Sequence, residues 1–266
     1  KPNNMEHLSP SNYSIIRWFG FDQFIPEQAF NSHWMSCRTF FMVRIILTLY
    51  STITFWAYLV VMIDLGRFSG FFAAFTTLTF IGLHAYLVTA CVYHFRYLRY
   101  KNVNFLLNQP PVLNYLYLYL YTTVMTFNVL TPVVFWSILN ADQSTNSLVV
   151  EWLNVSVHGA SFFLMFIDVL LNTMTIPIRL VLPVFFTLIS YMLLAFIIYA
   201  RDHTWVYPFL SWDQGPSAAI WYFLVATLVI VFFFFMVSVH LLRDWVAWKL
   251  GKFTKNQKYE INHDLV

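Results

Sequence analysis

The sequence predicts an all-α fold: a polytopic integral membrane protein whose six transmembrane helices form one bundle, with both termini in the cytosol. Hydrophobic residues make up 59% of the 266 residues and charged residues only 10%, whereas about a quarter of a soluble domain is charged. Six apolar stretches each approach the ~20 residues with which a helix crosses a bilayer. They do not alternate between apolar and polar residues, as the strands of a membrane barrel would.

Residues 1–36 precede the apolar stretches and mix polar with aromatic residues. Apolar residues such as Trp18 and Phe19 are interrupted by Pro26, so we expect an interfacial or flexible segment rather than a span. Residues 37–242 form the predicted transmembrane domain. Its helices are expected at Cys37–Ile63, Phe71–Val92, Tyr115–Leu139, Leu148–Leu171, Leu180–Ala200 and Ser217–Leu242.

Basic residues are concentrated on one side of this predicted bundle. The loop between the second and third helices, Arg179 and the last residues, 243–266, carry most of the lysines and arginines, whereas the opposite loops contain only Arg67 and Arg201. Because positive residues favour the cytosolic side, we expect both termini to be cytosolic and residues 243–266 to form a basic tail. The net charge of +3 indicates orientation rather than nucleic-acid binding.

The fourth predicted helix carries an ionisable residue, His158, near its middle. Such a residue is costly inside a bilayer and needs a partner, a cavity or a function, so we expect the other five helices to gather around this one. At ~1.5 Å per residue, Thr79 and His158 lie roughly 12–15 Å below the non-cytosolic boundary, with Asn128 at about the same level. Ser190 and Tyr191 of the fifth helix are close to this level too.

This layer of polar groups suits nucleophilic catalysis. A threonine hydroxyl becomes a serviceable nucleophile when a neutral imidazole takes its proton, which pairs Thr79 with His158. Amide and phenol groups nearby stabilise a developing oxyanion, and Asn154, one turn before His158, could orient its ring. The candidates for binding the substrate or the oxyanion are Asn128, Asn154, Ser190 and Tyr191. For Asn128 and His158, a structural hydrogen bond between helices is the simpler alternative, and serines and threonines in membrane helices commonly bond back to the backbone.

Asp168 follows His158 on the same predicted helix. It lies ~15 Å further along, which is too far for the acid of a catalytic triad. We expect it to pair with Arg44, since both residues lie near the cytosolic side.

Three segments of the chain carry a family resemblance. They are LTFI at residues 78–81, WLN followed by His158 at residues 152–158, and TWVYPF at residues 204–209. In order and spacing they resemble the androgen-induced and androgen-dependent membrane proteins, the FAR-17a-like family, along most of the chain. Val155 stands in place of one histidine of the family pattern, and Thr76 and Thr77 lie where the family has a lysine.

The resemblance implies a function as well as a fold. It implies a membrane hydrolase of fatty acid esters of hydroxy fatty acids, with Thr79 as nucleophile and His158 as general base. It implies no metal and no organic cofactor. The expected partners are a lipid substrate from the bilayer and membrane lipids, and the expected location is the endoplasmic reticulum or another endomembrane, with the plasma membrane as the alternative.

Two other functions remain open on the residues alone. His84 and His158 could be axial ligands in a haem-binding oxidoreductase, although no second histidine pair stands out. A non-catalytic lipid-binding protein or a transporter is the other alternative, although neither inverted repeats nor broken helices are evident.

Overall fold

The computed structural model describes residues 8–139 and 147–252. In these two ranges the chain is helical and contains no β-strand. Six helices are long and apolar enough to cross a membrane, which confirms the predicted all-α, multi-pass architecture. Because the crossings alternate, the start of the first spanning helix and the end of the last lie on the same side of the bundle, called here the terminus side, and the opposite side is called the far side. The cytosolic location of the termini stays a prediction.

The spanning helices are labelled in chain order. They are α1 (Cys37–Asp64), α2 (Phe75–Tyr100), α3 (Pro111–Val134, continued by a π-helical turn at Phe135–Leu139), α4 (Leu148–Val155, a π-helical turn at Ser156–Ala160, then Ser161–Leu171), α5 (Val181–Asp202) and α6 (Ser217–Lys249). Short helices at Phe68–Phe71 and Asn104–Leu107 lie between spans.

Local chemistry sets several of these helix ends. The Ser36 side chain accepts a hydrogen bond from the Thr39 amide and so caps α1, satisfying an amide that has no partner within the helix. Pro111 opens α3, a position where the missing N–H costs nothing. On the terminus side, Lys101 ends α2 in a left-handed conformation with φ 56°.

The outward faces of the spanning helices are apolar, as a bilayer requires. Ile46 on α1, Phe186 on α5 and Phe223 on α6 are among the large apolar side chains that are more than half exposed. In water such a surface would be an aggregation hazard, whereas in a bilayer it faces lipid tails.

The third spanning helix, and not the fourth, is at the centre of the bundle. In the most apolar 18-residue stretch of α3, 72% of the residues are buried, against 50% in the corresponding stretch of α4. Helix α3 packs against α2, α4, α5 and α6. The expectation that the other helices gather around α4 is therefore wrong. That expectation rested on one unusual residue, whereas the amount of buried side chain decides which helix is central.

A buried polar network holds the terminus side of the bundle together. Arg44 on α1 donates to both carboxylate oxygens of Asp168 on α4, at 2.7 and 3.1 Å, which confirms the predicted pair. Tyr86 and Asn172 also donate to Asp168, at 2.7 and 3.3 Å. Both charged side chains are fully buried, so α1, α2 and α4 are fixed to one another by groups that have no access to water.

The segment before α1 is folded against the bundle over its described part. Phe30 is fully buried, and the Ala29 carbonyl accepts a hydrogen bond of 2.7 Å from Arg44. Gln28 accepts from the backbone and the hydroxyl of Thr175, both at 3.2 Å. Of the residues expected to be interfacial, Trp18 does remain exposed. The expectation of an interfacial or flexible segment is therefore too simple, because polar groups of the bundle bond to Gln28 and Ala29 and because Phe30 is buried.

The last helix continues past its expected end at Leu242, and the expected basic tail does not begin at residue 243. Arg243 is buried and donates to the carbonyls of Val169 and Met174, both at 2.9 Å, and to the Asn172 side chain at 3.0 Å. This arginine is part of the core because it donates to backbone carbonyls at the end of α4, where the helix supplies no partner for them. Residues 253–266 of the expected tail lie outside the described residues.

Candidate functional site

Two π-helical turns lie opposite each other towards the far side of the bundle. One follows α3 at Phe135–Leu139 and the other interrupts α4 at Ser156–Ala160. The first begins three residues after Pro132, which has no N–H to donate to the preceding turn. The aromatic ring of Phe135 stacks on the imidazole of His158 with 3.6 Å between centroids and 10° between planes. Turns of this kind occur frequently at functional sites.

Among the residues that the structure describes, His158 is held by this stacking and has no hydrogen bond. The side chain is 7% exposed, and its Nδ1 has no hydrogen-bond partner among the described residues. Asn154, which we expected to orient the ring, is partly exposed and does not bond to it. The expectation assumed a continuous α-helix between these residues, whereas the chain changes to a π-helical turn at Ser156.

Thr79 lies on α2 with a buried hydroxyl that has no hydrogen-bond partner in the described ranges. Hydroxyls in membrane helices usually bond back to the carbonyl four residues earlier, as Thr122 and Thr126 of α3 do at 2.7 and 2.9 Å. Of the neighbouring threonines, Thr77 has a hydroxyl that bonds with Tyr58 at 3.3 Å, and Thr76 donates its backbone amide to the Tyr207 hydroxyl at 3.4 Å. The Thr79 hydroxyl, unlike that of Thr77, is therefore available to a ligand.

Asn128 on α3 also leaves a polar atom without a partner. Its amide nitrogen donates to the Val124 carbonyl at 2.8 Å, while its Oδ1 is buried and has no hydrogen bond. The turn that contains His158 packs against both α2 and α3. The structure thus brings together the three elements that carry Thr79, Asn128 and His158.

The depth of Thr79 differs from the expected one. Helix α2 begins at Phe75 and not at Phe71, because the chain folds into a separate short helix at Phe68–Phe71 and turns before α2. Thr79 therefore lies about 6 Å from the helix start at ~1.5 Å per residue. His158 lies about 15 Å from the start of α4, as expected. The two residues are therefore at different distances from the far-side ends of their helices.

Ser190 and Tyr191 are neighbours on α5 with different surroundings. Ser190 is exposed on the outer face of the helix and bonds back to the Phe186 carbonyl at 2.9 Å, so it does not reach the polar layer. The Tyr191 hydroxyl accepts from the Phe75 amide at 3.1 Å and donates to the Ala73 carbonyl at 3.0 Å. Tyr191 therefore fixes the start of α2, four residues before Thr79.

The aromatic segment before α6 contributes to the same helix start. The Tyr207 hydroxyl accepts a hydrogen bond of 3.4 Å from the Thr76 amide, and its ring stacks on Phe209 with 5.3 Å between centroids. Burial raises the pKa of Tyr207, so its phenol stays protonated over the neutral range. Two phenols thus satisfy amides at the beginning of α2 that have no partner within the helix.

An apolar cavity lies beside these tyrosines, between α3, α5 and α6. It has a volume of about 80 Å³ and is partly open to its surroundings. Its polar lining includes Thr76, Thr131 and the two phenols, and most of the remaining lining is aliphatic or aromatic. Thr76 and Thr131 are three residues from Thr79 and Asn128 on their respective helices, so the cavity begins about one helical turn from the polar layer.

Other histidines and acids serve different contacts. His84 bonds with Ser51 at 3.1 Å and stacks on Phe55, and Asp168 belongs to the network on the terminus side. No group of three or more histidine, cysteine or acidic residues within residues 8–139 and 147–252 could hold a metal ion. The polar layer itself carries hydroxyl, imidazole and amide groups.

None of the known family models, curated proteins or solved structures compared with the chain matches it. The assignment of a function therefore depends on the residues and their geometry.

Sequence reasoning missed Phe135 and Thr131. Phe135 is one of 29 phenylalanines in the chain, and nothing in its neighbourhood distinguishes it except Pro132, which predicts a local departure from the α-helix. Thr131 precedes this proline directly, and no pattern in the sequence reveals that its hydroxyl lines a cavity.

Proposed function

We propose that this chain is an intramembrane hydrolase of lipid esters in which Thr79 is the nucleophile and His158 the general base. The observation that carries the proposal is that Thr79 and His158 each bury a reactive atom without a hydrogen-bond partner, on elements that pack together. Leaving a buried polar atom without a partner costs about 1–3 kcal/mol. A substrate that supplies the missing partners offsets this cost.

In this mechanism the imidazole of His158 takes the proton of the Thr79 hydroxyl as its oxygen attacks the ester carbonyl carbon. The tetrahedral intermediate collapses when the bond to the alcohol oxygen breaks. The alcohol leaves with the proton held by His158, and an acyl group remains on Thr79. Water then attacks the acyl carbon and gives a proton to His158, which returns it to Thr79 as the free acid leaves.

Asn128 is the group that we assign to the oxyanion. One N–H of its amide bonds to the Val124 carbonyl, and the second is the donor proposed for the developing negative charge. Phe135 has a positioning role, since its stacking on His158 restricts the imidazole where no hydrogen bond does.

The proposed substrates are fatty acid esters of hydroxy fatty acids, the class implied by the resemblance to FAR-17a-like proteins. A substrate of this kind enters from the bilayer, which agrees with a site surrounded by spanning helices. We propose the endoplasmic reticulum or another endomembrane as its location and cytosolic termini as its orientation. A non-catalytic lipid-binding protein is the second candidate, and the apolar cavity beside the polar layer favours it equally.

Hydrolysis of a defined fatty acid ester of a hydroxy fatty acid by the purified protein tests the proposal. Thr79→Ser keeps a hydroxyl and should retain part of the activity, whereas Thr79→Ala should abolish it. Thr77→Ala is the matched control, because the Thr77 hydroxyl is already bonded to Tyr58, and it should keep near wild-type turnover. Equal turnover in Thr79→Ala and the control would contradict the assignment.

A further inference from the structure

The cavity between α3, α5 and α6 has the composition of a site for a hydrocarbon chain. Its lining is almost wholly apolar along α5 and α6, where Leu188, Val225 and Ala226 contribute, and includes Phe209 from the aromatic segment before α6. No charged residue lines it. A charged headgroup would therefore lose its hydration without a counter-charge, whereas an aliphatic chain would gain by burial.

One polar atom in this cavity has no partner in the described structure. Thr131 is 1% exposed, lines the cavity and has a hydroxyl without a hydrogen bond. It does not bond back to the carbonyl one turn earlier, as Thr122 and Thr126 on the same helix do. The Thr131 hydroxyl is therefore free to donate to an oxygen of a bound molecule.

The position of the cavity relative to the polar layer fits one molecule that occupies both. Thr76 and Thr131 line the cavity, and Thr79 and Asn128 lie three residues away on the same two helices. Residues three apart are neighbours on a helix surface. An oxygen that accepts from Thr131 is therefore close to the level at which Thr79 would attack.

We propose that this cavity binds a segment of one long aliphatic chain of the lipid ester, the rest of which extends through the open side of the cavity, with the Thr131 hydroxyl donating to an oxygen of the lipid near its ester. The inference rests on the proposed function and adds to it the site of the chain and a residue that positions the ester. Ala226 is the residue at which the available volume can be changed most directly, since its small side chain lines the cavity.

Photo-labelling tests this inference without requiring turnover. The probe is a 16-carbon fatty acid ester of a hydroxy fatty acid with a diazirine in the middle of the acyl chain, added to the full-length protein in detergent micelles. Peptide mapping should place the label on α5 and α6 residues that line the cavity. In Ala226→Trp, which fills the space, labelling of these peptides should fall at least fivefold.

Thr227→Trp is the matched control, because Thr227 is adjacent on α6, is exposed and does not line the cavity. It should leave the labelling unchanged. Ala226→Leu, a smaller change, should reduce labelling partly and keeps the test valid if the tryptophan variant does not fold. Equal labelling in Ala226→Trp and Thr227→Trp, or a label outside the cavity, would overturn the inference.

Thr131→Val separates the polar contact from the apolar site. It replaces the hydroxyl with a methyl group of similar volume. Labelling by the ester probe should therefore weaken, whereas labelling by a diazirine-bearing alkane, which has no oxygen to bond, should not. An equal effect on both probes would overturn the role of Thr131. Because labelling needs no hydrolysis, a protein that labels in the cavity but does not hydrolyse the ester would contradict the proposed function alone.

Discussion

Replacing Asp168 with asparagine should destabilise the bundle severely. The substitution keeps the shape of the side chain but leaves the Arg44 guanidinium charged in a site where both partners have no exposure. Removing one partner of a buried ion pair costs about 3–5 kcal/mol because the remaining charge is uncompensated. Asp168 also accepts from Tyr86 and Asn172, and an asparagine can accept with only one of its two polar atoms.

The assay is thermal unfolding of the purified protein in detergent. For chains of 150–250 residues, 1 kcal/mol shifts Tm by about 2–4 °C, so a loss of about 3–5 kcal/mol corresponds to roughly 6–20 °C. Asp202→Asn is the control, because its ion pair with Arg201 is exposed and should contribute nothing measurable. Similar small shifts in both variants would refute the reasoning, since the buried pair would then behave like a surface pair.

Removing both charges should be less harmful than removing one. In a protein that carries Arg44→Met and Asp168→Leu together, no uncompensated charge remains, so part of the lost Tm should return. Recovery should be incomplete because the Tyr86 hydroxyl and the Ala29 carbonyl lose their partners. A double variant less stable than Asp168→Asn would show that the network acts through its hydrogen bonds and not through charge.

Two further predictions compare residues that have similar chemistry and different surroundings. Tyr191→Phe removes a hydroxyl that bonds at the start of α2 and should lower the free energy of unfolding by about 1 kcal/mol, whereas Ser190→Ala on the outer face should not. Equal Tm values for these two variants would contradict the role of Tyr191. Arg243→Gln should lower Tm by several degrees, because the buried guanidinium bonds to two carbonyls and to the side chains of Asn172 and Asp244. Lys249→Gln, at an exposed position, should have no effect on Tm. A tolerated Arg243→Gln would mean that the end of α4 does not depend on it.

The architecture follows from composition, because few backbone structures can span a bilayer. Helices satisfy their backbone polar groups internally, so six apolar stretches of spanning length predict six helices. The pairing of Arg44 with Asp168 was predictable for the same reason, since two opposite charges at one depth have few other partners. The start of α2 and the end of α6 were not predictable, because the short helix at Phe68–Phe71 and the partners of Arg243 are tertiary features.

The candidate site was predictable only in part. Residue type selects Asn128 and His158, whose amide and imidazole groups are uncommon inside a bilayer. Threonines are common there, so Thr79 is selected by the family resemblance and not by its residue type. Helical spacing fails for Asn154, because a π-helical turn at Ser156–Ala160 changes the register and no sequence pattern marks it. Ser190 was selected by depth alone, and depth does not distinguish a side chain that faces lipid from one that faces the core.

Ester hydrolysis should be compared in wild-type protein, Thr79→Ala and His158→Ala, each with its fold verified by thermal unfolding. We expect turnover of a fatty acid ester of a hydroxy fatty acid by the wild type, no turnover in Thr79→Ala, and a loss of about 10²–10⁴-fold in His158→Ala, the range for removal of a general base. Turnover that persists unchanged in either folded variant would contradict the Thr79–His158 mechanism.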